Sequence, residues 1–163
     1  MLTIRLAVVS DLPAIGRLGA LLVRLHHEMD PRRFIAATPE TPEGYARFLA
    51  SQLEAPDALL MVAENDGAVI GYSYSGMEGQ DWMTLRGPAG VVHDLVVAAE
   101  ARNAGIGRAL LDATIAELER RGAPQMVLSA AARNEAAQRL FARAGFRPTM
   151  VEMTRERGGG AVA

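Results

Sequence analysis

A buried strand that runs into a glycine-paired turn and then into a helix constrains this chain more than any other stretch. Residues 90 to 98, GVVHDLVVA, form an apolar run interrupted by His93 and Asp94, which reads as a strand covered on both faces with a polar insertion. Residues 100 to 111, EARNAGIGRALL, then place Gly105 and Gly107 just ahead of a helical pattern. Glycine costs roughly 1 kcal/mol relative to alanine inside a helix, so two at a helix entrance need a compensating reason. The first helical N–H groups lack internal partners and carry partial positive charge, and bare α-carbons let an anion approach them. The turn therefore reads as a phosphate-binding device. A kinase-type P-loop is excluded because no Gly-x-x-x-x-Gly-Lys-Ser/Thr is present. A dinucleotide loop is disfavoured because Leu110 stands where a third glycine belongs.

The flanking sequence predicts a mixed α/β domain. Leu2, Ile4, Leu6 and Val8 alternate with other residues at strand period. Ser10 and Asp11 precede a helix whose Ile15, Leu18, Leu22, Leu25 and Met29 share a face until Pro31. Thr41-Pro42 opens a second helix carrying Tyr45, Phe48, Leu49 and Leu53, and Pro56 ends it. Two strand-like runs joined at Asp66-Gly67 predict a hairpin. Residues 76 to 89 read mainly as loop, with WMTLR able to extend a strand. The helix after the glycines stops at Gly122 and Pro124, QMVLSA reads as a fifth strand, and Asn134 caps a last helix ending at Gly145. FRPTMVEMT reads as a closing strand and RGGGAVA as a flexible terminus. The expected organisation is one domain over residues 1–155 and a flexible tail over 156–163, since 163 residues suit a single core.

Composition narrows the chemistry. A net charge of -2 gives no general pull toward nucleic acid or an anionic membrane, so neither is expected as a partner. The absence of cysteine excludes disulfides, thiolate metal sites and a cysteine nucleophile, and three histidines make a histidine-built zinc site improbable, so no metal is expected. With no basic, apolar leader and no window long enough to span a bilayer, a cytoplasmic location is expected.

Arg102-Asn103-Ala104-Gly105-Ile106-Gly107 resembles the Arg/Gln-x-x-Gly-x-Gly/Ala loop of the GNAT superfamily of acyl-CoA-dependent N-acetyltransferases. NEAAQRLFARAGFR is similar to the family segment that carries an asparagine, an alanine, a tyrosine or phenylalanine and a closing Gly-Phe, here Asn134, Ala137, Phe141, Gly145 and Phe146, and the order of elements over roughly residues 3 to 155 also matches. The resemblance implies a twisted, mixed, mostly antiparallel sheet of about 6–7 strands flanked by about 4 helices, splayed between strands four and five. It implies acetyl-CoA as cofactor. Backbone N–H groups of Arg102, Asn103, Ala104, Gly105, Ile106, Gly107 and Arg108 would hold its pyrophosphate, while the strand backbone at Leu95, Val96 and Val97 would pair with the pantetheine arm. Asn134 resembles the asparagine that fixes that arm, and is also a plain helix cap. Phe141 stands where many members carry a tyrosine that protonates the departing thiolate, which moves that step to water or another group such as Ser129.

Acetyl transfer to an amine needs a base, because an alkylammonium with a pKa near ~10 is almost wholly protonated at neutral pH. His93 lies nine residues before Arg102, where polyamine-acetylating members carry an acid thought to be the base, and an imidazole suits that task. Strand alternation puts His93 on the face of Leu95 and Val97, and Asp94 on the face of Val96, unless a bulge intervenes. Asp94 is expected to orient substrate or support the structure, and a backbone N–H at or next to Leu95 to polarise the carbonyl. Without a cysteine to carry the acyl group, direct attack in a ternary complex is expected. His27 and Glu28, with His26 and Asp30 nearby, and Tyr72 and Trp82 are the candidate acceptor contacts. The acceptor is expected to be a primary amine of a small molecule or peptide, the assembly a possible homodimer, and the rival reading a noncatalytic acyl-CoA sensor on the same fold.

Overall fold

The computed structural model describes residues 1–159. Five strands, β1 (Leu2–Leu6), β2 (Ala58–Asn65), β3 (Ala68–Glu78), β4 (Ala89–Val97) and β5 (Met126–Leu128), lie in the order of the chain. The first three pairings are antiparallel and β4–β5 is parallel. Four helices, α1 (Leu12–Met29), α2 (Thr41–Leu53), α3 (Ile106–Arg120) and α4 (Glu135–Arg143), complete the fold. None of the helices among the described residues is long and apolar enough to cross a membrane.

Alternation along β2 explains the two-sided core. Leu60 and Val62 point to the layer of α1 and α2, where they meet Ile15, Leu18 and Leu49. Leu59 and Met61 point the other way, to Leu110 and Leu118 of α3. An uninterrupted apolar run is therefore what a strand covered on both faces requires. The two helices on the first face approach each other closely at Gly16 and Gly19. A Cβ at Gly16 would collide with the Pro42 carbonyl, and one at Gly19 would fall inside the Tyr45 ring. Those missing side chains seat Tyr45 of α2 over the sheet.

Two expectations need correction. The hairpin arms are longer than the sequence suggested, because β3 continues through Glu78, paired with Ala89 at the start of β4. Between them only Asp81 and Arg86 bridge, leaving Trp82 to Leu85 as an exposed tip. The closing strand does not form, so the sheet has five strands rather than six or seven. β5 offers only three residues of ladder, and Met150, Val151 and Met153 stay exposed with no apolar layer to cover them. That segment is tethered instead to the α1–α2 connection through Arg33–Glu152 and Arg32–Glu156 ion pairs. The predicted tail at 156–163 lies partly outside the described residues, which end at Gly159.

Candidate active site

The β4–β5 ladder covers only Gly90 to Val92 against Met126 to Leu128. Beyond Val92, β4 runs on to Val97 with β3 on one edge and no strand on the other among the described residues. This is the splay expected between the fourth and fifth strands, and it leaves the backbone of Leu95, Val96 and Val97 with a free edge. The side chains there have separate duties: Val96 is buried under α1 and α2, while Leu95 faces the α3 layer.

The free edge leads into the glycine turn. Asn103 and Gly105 both take left-handed backbone angles, φ 63° and 78°, which asparagine tolerates and glycine adopts without strain. Among the described residues, the backbone N–H groups from Asn103 to Arg108 make no hydrogen bond to another group of the chain. Gly107 is helical, and a Cβ there would meet Leu140 and Val97 side chains only at ordinary contact, 3.7 Å. Neither backbone angle nor internal crowding demands glycine at 107. The side chains of the two arginines are held by the chain itself. Arg102 Nε donates to the Val97 carbonyl at 3.2 Å, and Arg108 is held by Asp112 at 2.8 Å and by the Arg143 carbonyl at 3.1 Å. Arg108 thus ties α3 to the end of α4. The i, i+4 spacing of Arg108 and Asp112 was the signal for that pairing.

A cleft of about 250 Å³ opens where β4 leaves β5, walled by α1, β4, the segment after β5 and α4. His93, Asp94 and Leu95 line it, as do Asn134 and Phe141. Asn134 caps α4 through Oδ1, which accepts from the Ala137 N–H at 3.1 Å, leaving the amide NH2 for other partners. Phe141 packs edge-on against Phe146, and Ser129 supplies a hydroxyl to the same cleft.

The register of β3 against β4 shifts between Tyr74 and Ser75, which oppose Asp94 and Val92, so His93 is the extra residue of a bulge. The bulge overturns the simple alternation. His93 stacks on Tyr74, ring centroids 4.9 Å apart, and Tyr74 in turn donates to Gln52 of α2 at 3.0 Å. Asp94 Oδ2 accepts from Tyr45 of α2 at 2.7 Å and from Tyr72 at 2.9 Å. His93 and Asp94 therefore share the face of α1 and α2. Burial raises the Asp94 pKa above the ordinary carboxylate value, an effect only partly opposed by the two tyrosine hydroxyls. His93 Nε2 lies 3.0 Å from Glu78 Oε1, and Glu78 Oε2 accepts from Arg86 at 2.8 Å. Sequence alone missed this Glu78–Arg86 support, because both residues fell in the stretch read as loop.

Of the acceptor candidates, His27, Glu28, Tyr72 and Trp82 do not line the cleft. Tyr72 is fully buried and acts through Asp94, His27 Nδ1 bonds the Phe34 carbonyl at 2.9 Å, Glu28 lies on the exposed side of α1, and Trp82 is 73% exposed on the hairpin tip. His26 is the histidine that reaches the cleft, with Nδ1 on the Leu22 carbonyl at 2.9 Å. One position decides this: at i+4 from Leu22, His26 falls on the inward stripe of α1 and His27 beside it.

Residues 22–146 match the model of the acetyltransferase (GNAT) family. This chain belongs to the GNAT family. Its domain is an acetyltransferase domain, of a family whose acyl donor is acetyl-CoA. The chain is 37% identical over 89 residues to a mycothiol acetyltransferase of Thermobispora bispora, a match that covers 52% of this chain and 28% of that protein. It thus spans well under half the length of the curated relative it matches. The fold is that of a mutant of the BH1408 protein of Bacillus halodurans, with a TM-score of 0.82, 20% identity, and 95% and 99% of the two chains covered. It is likewise that of a predicted acetyltransferase of Clostridium acetobutylicum solved with acetyl-CoA, with a TM-score of 0.73, 16% identity, and 94% and 96% covered.

Proposed function

We propose that this GNAT domain transfers an acetyl group from acetyl-CoA to a primary amine of a small molecule or peptide, by direct attack in a ternary complex. One observation carries the reading: the unpaired edge of β4 runs from His93 and Asp94 in the cleft to free N–H groups at Asn103 to Arg108. Those donors suit a pyrophosphate, the free edge at Leu95 to Val97 suits an amide-bearing arm, and the open space at Gly107 admits it. The residues present thus fit acetyl-CoA, which when bound supplies a thioester activated for acyl transfer.

The chain's own groups have these tasks. Glu78 accepts from His93 Nε2–H, fixing the tautomer that leaves Nδ1 as proton acceptor for the amine. The neutral amine then attacks the carbonyl carbon, whose oxygen is stabilised by the β4 backbone N–H at or next to Leu95. The C–S bond breaks, and water or the Ser129 hydroxyl would relay to the departing thiolate the proton that the nitrogen gives up as it becomes an amide, because Phe141 has none to give. A thiol with a pKa near ~8.5 is a fair leaving group, so this loss is tolerable. Asn134 steadies the arm through its amide NH2. The same proposal takes residues 1–155 as the working domain, a cytoplasmic location where acetyl-CoA is made, and a homodimer, which the exposed Met150, Val151 and Met153 support.

Calorimetric titration with acetyl-CoA, using ATP and NAD as controls, tests the reading first. Saturable micromolar binding of acetyl-CoA alone is expected, and no binding by folded protein would overturn it. A thiol-release screen over amines follows. Turnover that falls at least about tenfold in His93→Ala with acetyl-CoA binding intact would support the assigned base, and unchanged turnover would remove it.

A further inference from the structure

Asp94 is set into the protein with its charge unbalanced. Both tyrosine hydroxyls go to the same oxygen, Oδ2, and Oδ1 has no hydrogen-bond partner among the described residues. No side-chain oxygen or nitrogen there is both fully buried and unpartnered. Oδ1 is therefore reachable, and the space it can reach is the cleft that Asp94 lines. The titratable groups that face the carboxylate are Tyr45, Tyr72, Tyr74, His93 and His26. None is a permanent cation. No arginine lines the cleft, and the chain contains no lysine at all. A carboxylate removed from water without a countercharge is costly unless a partner supplies one. Here a cation that enters the cleft with the ligand can supply it.

We propose that Asp94 Oδ1 is a subsite for a second, non-reacting cationic nitrogen of the acceptor, so that the preferred substrates carry two amines. The inference rests on the acetyltransferase reading above and deepens it. The reacting nitrogen is the poorer occupant, because a carboxylate beside it stabilises the ammonium form and opposes the deprotonation that attack requires. A second nitrogen gains the same attraction without that penalty, while His93, on the same face through the bulge, serves the first. Leu22, Val23, Phe34 and Ile35 give the remaining wall an apolar character suited to a methylene spacer. Tyr45 and Tyr72 act as positioning residues that fix which oxygen is offered.

The test compares kcat/KM for linear α,ω-diamines of increasing length with n-alkylamines of matching length. The expected result is a preference of about tenfold or more for the best diamine. In Asp94→Asn, whose amide still accepts from both tyrosines, the pair should come within about twofold through a rise in the diamine KM. Equal use of the matched pair by the unaltered protein, or a preference that survives in Asp94→Asn, would overturn the proposal. If neither amine is acetylated, calorimetry in the presence of CoA decides. Saturable binding of the diamine but not the alkylamine, lost in Asp94→Asn, supports the subsite, and no diamine binding overturns it. Acetyl-CoA binding measured alongside keeps the two failures apart: its loss would sink the acetyltransferase reading, whereas its presence without diamine selectivity would sink only the subsite.

Discussion

Two carboxylates set into this protein, Asp11 and Asp94, have opposite surroundings. Asp11 is 6% exposed and takes two hydrogen bonds from Arg5, at 2.7 and 3.0 Å, and one from the Val8 N–H at 2.8 Å. Arg5 reaches on to Glu64 at 2.9 Å, so the ion pair stitches β1, β2 and the start of α1 together. The Arg5 hydrogen bonds hold the Asp11 carboxyl below its ordinary range against the cost of burial. Asp94 has only neutral donors, both on one oxygen, and burial lifts its pKa. A buried acid whose charge is completed inside the chain supports the fold, whereas one left open toward a cleft is available to a ligand.

The largest test of that contrast is Asp11→Ala, which leaves Arg5 without its buried partner. A loss of about 3 kcal/mol is expected in chemical denaturation, with kcat/KM per folded molecule unchanged. Gly19→Ala comes next, because its methyl would enter the Tyr45 ring. An overpacking cost of about 2 kcal/mol is expected, together with loss of acceptor affinity as Tyr45 leaves Asp94, read as a higher KM. Tyr45→Phe should be milder: a roughly threefold rise in acceptor KM, equivalent to under ~1 kcal/mol, with acetyl-CoA affinity unchanged.

The smallest effect is the most diagnostic, since the two acids should show opposite pH signatures. Asp11 has a folded pKa below its unfolded one. Its stabilising contribution is present above the unfolded pKa and is lost as pH falls through the folded value. The Tm advantage of the unaltered protein over Asp11→Asn should therefore shrink in acid. Asp94 has a folded pKa above its unfolded one, so the folded state holds the proton more tightly. Relative to Asp94→Asn, the unaltered protein should be less stable at neutral pH and should gain as pH falls through the raised value. Parallel curves for the two pairs would dissolve the distinction.

Much of the frame was legible because it depends on local chemistry. The Gly105 turn needs a left-handed residue, the Asn134 cap needs a short acceptor, and the two-sided burial of β2 needs a continuous apolar run. The relation of His93 to Asp94 was not legible, because it depends on a register shift set by Tyr74 and Ser75 across the sheet. The same holds for Tyr45: nothing within α2 says that its hydroxyl meets Asp94, and the seat at Gly19 lies in another helix. FRPTMVEMT has strand composition, yet composition supplies no neighbour, and the three-residue β5 gives it no ladder to extend. Arg108 and Asp112 could have been paired from spacing alone.

The half-open edge of β4 makes the sheet one rung short until something lies along it. Outward amide groups past Val92 should exchange with solvent in the free protein and become protected when acetyl-CoA is present. At a donor concentration a hundred times Kd, mass action adds about 2.7 kcal/mol to the folded state. The domain should therefore be loosest, and most readily cut by protease, when nothing lies along that edge, which limited proteolysis with and without acetyl-CoA would check.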